Sequence, residues 1–171
     1  DEIKTRLKQA EDYWQENYQR GVEDKEFVTV EGAQWGLHEV QKRKDDGKPS
    51  LEFNMCRAYC RQQINTQRQN RPQAKVVPVD NGADADKANL IEGLIKDTEE
   101  ATDAESAYDT AAENAVYGGL GFYRLVTDYV SELSFNQEPK FMPVQNPHAV
   151  YIDPLSRALD GSDMTWAIVG D

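Results

Sequence analysis

The stretch from residue 104 to 129, AESAYDTAAENAVYGGLGFYRLVTDY, constrains the fold more than any other part of the chain. Ala104, Tyr108, Ala111, Ala112, Ala115 and Val116 recur at three- and four-residue spacing, which predicts a helix. Small alanine side chains along that stripe let a neighbouring helix or sheet come close. Gly118, Gly119 and Gly121 then stop the helix, because glycine readily takes the left-handed conformation that helix C-termini often need. Residues 122–129, rich in Val, Thr, Leu and aromatics, follow as a strand. A helix that feeds a strand through a glycine hinge makes a structural corner, with no catalytic loop written into it.

The rest of the chain is read outward from that corner. Residues 1–20 predict an amphipathic helix with Ile3, Leu7, Ala10, Trp14 and Tyr18 along one stripe, and Gly21 is its expected stop. Phe27, Val28 and Val30 interrupt the charged stretch 23–31, which fits a short connector or an edge strand. Gly32-Ala33-Gln34-Trp35 opens a second short helix through Val40, and the charged run 41–48 with Gly47-Pro49 is expected as a solvated turn. Residues 51–70 read as a third helix, with Leu51, Met55, Tyr59 and Gln62 or Gln63 tracing one face and Arg71-Pro72 ending it. Residues 75–79 predict a short strand, placed at an edge by Pro78.

Residues 81–86 form a polar turn, and a long helix starts near Asp84 or Asp86 with Ala88, Ile91, Leu94 and Ile95 as its apolar stripe. Asp97-Thr98-Glu99-Glu100 and Thr102-Asp103 are its candidate breaks. After the hinge and its strand, residues 131–136 turn the chain. Residues 140–144, 148–152 and 164–169 are further short strands, punctuated by Pro139, Pro143, Pro147, Asp153-Pro154 and the loop 156–163. The class is α+β: long amphipathic helices in the N-terminal two-thirds, packed with a small, mostly antiparallel sheet from the C-terminal third, as a single domain over residues 1–171.

Charged residues make up 29% of the chain and apolar ones 39%, and the mean hydropathy of -0.78 is low for a self-contained globule. Either long helices with solvated faces dominate, or apolar surface is held for partners. The net charge of -12 is uneven: residues 1–70 carry 12 basic and 13 acidic side chains, residues 71–171 carry 7 and 18. The acidic half is a poor grip on phosphate, because tight DNA binding depends on Lys and Arg displacing counterions. It reads as a soluble acidic surface or, alternatively, as a wall past which DNA slides without sticking. The chain opens at Asp1 without Met and ends inside the apolar run 164–169, as a piece cut from a longer polypeptide would. An 18-residue apolar run and an opening secretory signal are both missing, so no membrane span is expected and the cytosol is the default.

Candidate chemistry is sparse. Cys56 and Cys60 sit four apart on a predicted helix, where a local disulfide is disfavoured. As zinc ligands they would need two more partners, and His38 and His148 are the only histidines. Buried, reduced thiols are the reading that fits. Gly118-Gly119-Leu120-Gly121 follows a helix and precedes a strand, the reverse of a dinucleotide fingerprint, and no GxxxxGK[ST] exists. Asp153, Asp160 and Asp163 with Gly161 suggest a calcium loop, but the DxDxDG spacing and closing Glu are missing, so a turn with capping aspartates is expected. His148, after Pro147 at a strand start, is expected to be structural or exposed. Ser, His and Asp are all present without a nucleophile elbow to join them. No catalytic residue, cofactor site or metal site is assigned.

Arg57, Arg61 and Arg68 lie on or near one side of the third helix and Arg71 follows it. They read as a cationic side that pairs with acids of the same or a neighbouring chain. Nucleic-acid contact is the alternative, although no interleaved aromatics supply a stacking platform.

A family resemblance rests on residues spread from about Trp14 to the end of the chain. Gly32-Ala33-Gln34-Trp35, Pro49-x-Leu51-x-x-Asn54 and Asn70-Arg71-Pro72 with Val76 and Pro78 resemble the N-terminal region of portal proteins, the head-to-tail connectors of short-tailed phages. Ala107-Tyr108-Asp109, Gly118-Gly119-x-Gly121, Thr127-Asp128-Tyr129, Asn146-Pro147, Val150-x-x-Asp153-Pro154 and Asp160-Gly161-Ser162-Asp163 continue it. The resemblance implies a homo-oligomeric ring, usually a dodecamer, at one capsid vertex of a virion assembled in the host cytoplasm. It further implies that a terminase ATPase drives DNA through the ring without sequence-specific binding, and that capsid and tail proteins dock on it. This segment would belong to the outer wing, with stem, clip and crown in later sequence. Arg57, Arg61, Arg68 and Arg71 are then candidate subunit-interface residues, and Gly118, Gly119 and Gly121 a structural corner. A helical protein-binding adaptor that forms no ring, and an enzyme domain with a scattered active site, are the rival readings.

Overall fold

The computed structural model describes residues 2–71, 73–79, 84–158 and 161–170. Its helices in chain order are α1 (Glu2–Thr29), α2 (Leu37–Asp45), α3 (Met55–Gln69), α4 (Ala85–Ala101) and α5 (Ala104–Gly118). Its strands are β1 (Tyr123–Tyr129), β2 (Gln137–Pro143), β3 (Val150–Ile152) and β4 (Ala167–Val169). β1 pairs with β2 and β3 with β4, both antiparallel, so the architecture is α+β as expected. The residues divide into two compact units, one of Asp1–Gln63, Asn114–Leu120 and Asn146–Asp171, the other of Ile64–Glu113 and Gly121–Gln145. Pro72, residues 81–83 of the polar turn and Asp160 lie outside the described residues.

In the first unit, Ala10, Trp14, Tyr18, Gly21, Lys25 and Val28 follow one another at intervals of three or four along α1. The stripe that opens with Ile3 and Leu7 therefore continues through Gly21, and the helix runs to Thr29. This corrects both the stop at Gly21 and the connector over residues 23–31. Gly21 is buried because α5 approaches it: an added Cβ would lie 3.0 Å from the Gly118 carbonyl oxygen and 3.2 Å from the His148 ring. An interior glycine costs a helix roughly 1 kcal/mol against alanine, and the close approach is what that cost secures.

The second helix, α2, starts at Leu37 with Gly36 at its N-cap rather than at residues 32–35, and it takes in residues 41–45 of the charged run, so the expected turn is confined to residues 46–47. Lys42, Arg43 and Lys44 in its last turn oppose the partial negative charge of the helix C-terminus. Arg43 folds over the Trp35 ring at 4.8 Å and donates to the Pro49 carbonyl, which closes the turn at Gly47. α3 starts at Met55 rather than residue 51 because Asn54 caps it. The Asn54 carboxamide oxygen accepts from the Arg57 N–H at 2.9 Å, while its nitrogen donates to the Val28 carbonyl at 2.9 Å. Ile64 is the buried residue of α3, and Met55 and Tyr59, read as members of one face, are exposed. Because burial on α3 falls at Ile64, the expected thiol burial is corrected: Cys56 is exposed and Cys60 half-buried, both free. Residues 147–149 form a single 3-10 turn capped by Asn146, which shortens the expected strand 148–152 to β3.

In the second unit, the Asp84 carboxylate accepts from the Asp86 N–H at 2.9 Å and starts α4. α4 passes through the acidic patch, and the break falls at Thr102-Asp103 alone, where Asp103 takes φ +52°. Ala104, Ala107 and Ala111 form the buried stripe of α5, rotated from the expected one so that Ala115 is exposed. β2 begins at Gln137 and accommodates Pro139 because a two-stranded ribbon leaves it an edge strand. Residues 73–79 form no strand; Val76 bonds through its backbone to the Glu92 carboxylate instead. Buried apolar positions are mostly alanine and valine, and among the described residues no large side chain is fully buried.

Candidate functional site

The three arginines of α3 and Arg71, which follows it, divide into two pairs. Arg68 Nε lies 3.2 Å from Asp109 and its Nη2 3.7 Å from Glu113, while Arg71 engages Glu105 and, at 3.1 Å, Asp109. Glu105, Asp109 and Glu113 share one face of α5 because they are spaced by four. The Arg71 guanidinium is held above its ordinary range, chiefly by its hydrogen bond to Glu105. Arg71 and Asp109 side chains are only 26% and 20% exposed, so this is a seam inside one chain. Arg57 and Arg61 are exposed, with no ion-pair partner among the described residues. The sequence reading missed the acids opposite Arg68 and Arg71, although their repeat at residues 105, 109 and 113 was the available signal.

The glycine corner has distinct parts. Gly119 alone of the three takes a left-handed φ, +82°, and its N–H bonds the Ala115 carbonyl to finish α5. Gly118 is where α1 comes close. Beside that approach, Tyr18 donates its hydroxyl to the Val150 carbonyl, Trp14 donates its indole N–H to the Ile152 carbonyl at 3.1 Å, and both tie α1 to β3. The His148 ring stands edge-on to Tyr18 with centroids 5.2 Å apart. Burial, and then Lys25, holds the His148 imidazole below its ordinary value, and burial pushes the Tyr18 hydroxyl up to about 12. His148 is thus a structural residue in a 3-10 turn rather than at a strand start.

Asp153 and Asp163, the two described aspartates of the suggested calcium loop, are caps. Asp153 accepts from the Thr165 hydroxyl and from the Leu155 N–H at 3.0 Å. Asp163 accepts from the Arg157 N–H and the Ser156 hydroxyl, each at 2.7 Å. Those donors hold both carboxyls below the usual carboxylate range, the Thr165 hydroxyl foremost for Asp153 and the Arg157 N–H for Asp163. Among the described residues no group of three or more His, Cys, Asp or Glu is placed to hold a metal ion.

The second unit also carries an open cleft of about 560 Å³, lined by Arg71, Lys96, Glu99, Glu105 and Tyr108 among others. Burial and the hydrogen bond to Glu99 raise the Tyr108 hydroxyl, and Arg71 is raised too. Both shifts run away from neutral pH, so neither group is poised for proton transfer at physiological pH.

Most of the motif residues act as knots between backbone segments. The Trp35 indole donates to the Leu51 carbonyl at 3.2 Å, the Gly32 N–H to Glu52 at 2.6 Å, and Asn54 joins the end of α1 to the start of α3. A family model for phage P22-like portal proteins matches residues 4–171. The chain belongs to that family. It is also 31% identical, over 155 residues and 85% of its length, to the portal protein of Acyrthosiphon pisum secondary endosymbiont phage 1. It spans about a fifth of that relative, 21%. The portal-family motifs are therefore fold-holding positions: Asn146 and Asp153 cap turns, Asp109 receives two arginines, and Val150 receives Tyr18. No described helix of this portal-family chain is long and apolar enough to cross a membrane.

Proposed function

We propose that this chain is a structural piece of the outer wing of a phage portal subunit, working as one segment over residues 1–171. Full-length subunits assemble side by side into a ring at the capsid vertex, a dodecamer on the family pattern. Terminase, capsid and tail proteins dock on that ring, and DNA passes through it during packaging and ejection without sequence-specific binding. The subunit assembles in the host cytoplasm, ends in the virion, and makes or breaks no bonds itself.

One observation carries this reading. Leu37, Phe53, Val79, Leu133, Phe135 and Leu155 are all more than 80% exposed. A surface of this kind is held for neighbours. The net charge of -12 keeps it off phosphate.

Negative-stain images and native mass spectrometry of the full-length gene product test the proposal. A closed ring is expected. A monomer at every concentration would refute ring assembly and favour the adaptor reading.

A further inference from the structure

In the second unit α4 and the β1–β2 ribbon enclose an apolar groove of about 250 Å³. Ile91, Leu94, Ile95 and Thr98 form its helical wall, and Leu125, Pro139 and Phe141 the opposite one. Lys87 lies on the same flank of α4, one turn before Ile91; it is exposed and has no ion-pair partner among the described residues. The turn that joins β1 to β2 carries the reciprocal features. Leu133 and Phe135 are 97% and 96% exposed, and Glu132 beside them is also exposed and without an ion-pair partner among the described residues.

We propose that the Leu133/Phe135 turn of one copy seats in the α4–β1 groove of the next, with Glu132 meeting Lys87. The inference deepens the ring reading above and rests on it. The turn is held away from its own groove by the ribbon. Leu125 pairs with Phe141 in the groove wall, whereas the last pair, Tyr129 with Gln137, lies four residues further on, about 13 Å at strand rise. The apolar knob, the apolar hole and one charge of each sign therefore sit on one polypeptide but must be satisfied between two. Knob and hole are different patches, so the contact is head-to-tail, the kind that closes into rings when the rotation allows. An aromatic and a leucine bury a few hundred Å² at most, less than the roughly 800 Å² per partner of a stable interface. The contact thus strengthens an assembly that other surfaces also hold.

The test uses full-length protein with Cys56→Ser and Cys60→Ser as background. Leu94→Cys with Phe135→Cys is expected to give reducible crosslinks between subunits within rings, while either cysteine alone gives none. Separately, Phe135→Glu should leave the melting midpoint unchanged and raise the concentration needed for assembly roughly tenfold. Rings without crosslinks, or a disulfide formed within a single subunit, would overturn this contact and leave the ring reading standing. Failure of the background protein to form rings at any concentration would overturn both.

Discussion

Replacing Gly21 and Gly93 by alanine, one at a time, isolates the close approach of α1 and α5. Both glycines lie inside helices, so each replacement removes the same backbone penalty, roughly 1 kcal/mol. At Gly93 nothing lies within 4 Å of an added Cβ, so Gly93→Ala should be stabilising by about that amount. At Gly21 the methyl meets the Gly118 carbonyl oxygen at 3.0 Å and the His148 ring at 3.2 Å. A backbone oxygen yields little, and overpacking of this kind costs about 1–3 kcal/mol. Gly21→Ala should then range from neutral to about 2 kcal/mol destabilising, leaving the two variants about 1–3 kcal/mol apart. For a chain of this length that separation is roughly 2–4 °C in melting midpoint per kcal/mol. Far-UV circular dichroism follows both variants. Fluorescence of Trp14, Trp35 and Trp166, all in the first unit, reports on Gly21→Ala alone. If Gly21→Ala stabilised as much as Gly93→Ala, the crossing could not be as close as described and the role given to Gly21 would fall.

Other perturbations have equally defined outcomes. Asn54→Ala removes a cap that also ties down the end of α1, and should cost about 1–2 kcal/mol in urea denaturation. Arg71→Met should lower the melting midpoint by more than Arg57→Ala or Arg61→Ala does, because only Arg71 among them is engaged by Glu105 and Asp109. Conversely, Arg57→Glu with Arg61→Glu should spare the monomer's midpoint and reduce the ring population in native mass spectrometry of full-length protein; an unchanged ring population would remove them from the interface. His148 contributes a pH dependence. The unfolded chain takes up its proton near 6.5 and the folded chain only at lower pH, so this stabilisation is complete above 6.5 and is lost as pH falls below it. The drop in midpoint between pH 7.5 and 5.5 should therefore shrink in His148→Asn; an unchanged drop would count against the buried neutral imidazole.

Local pattern carried far in this chain. The helix over residue 104 onward, its glycine stop, the Asp84 start of α4, the turn near residue 131 and the antiparallel pairing were all legible, because period, capping and turn chemistry act within a few residues. The misreadings share a cause. Val28 and Val30 looked like a strand until Val28 was seen to continue a stripe begun at Ile3. Residues 41–45 looked like part of the turn that follows them because α2 buries nothing, leaving only its dipole and Arg43 to mark them as helix. Met55 and Tyr59 were read on one face and both stay exposed, because periodicity tells which residues share a face, never whether anything covers it. The portal-family residues were legible as an ordered set long before their role as knots was.

From residue order alone came the α+β class, the helix-to-strand corner at Gly118–Gly121 and the family. These depend on intervals along the chain, and such intervals survive without a partner. Only the folded arrangement decided that Gly21 is a crossing point rather than a stop, that Arg68 and Arg71 are taken by α5, and that so much apolar surface stays open. Each of those turns on which atoms arrive from far along the chain, since a close approach or an ion pair exists only once both sides are placed.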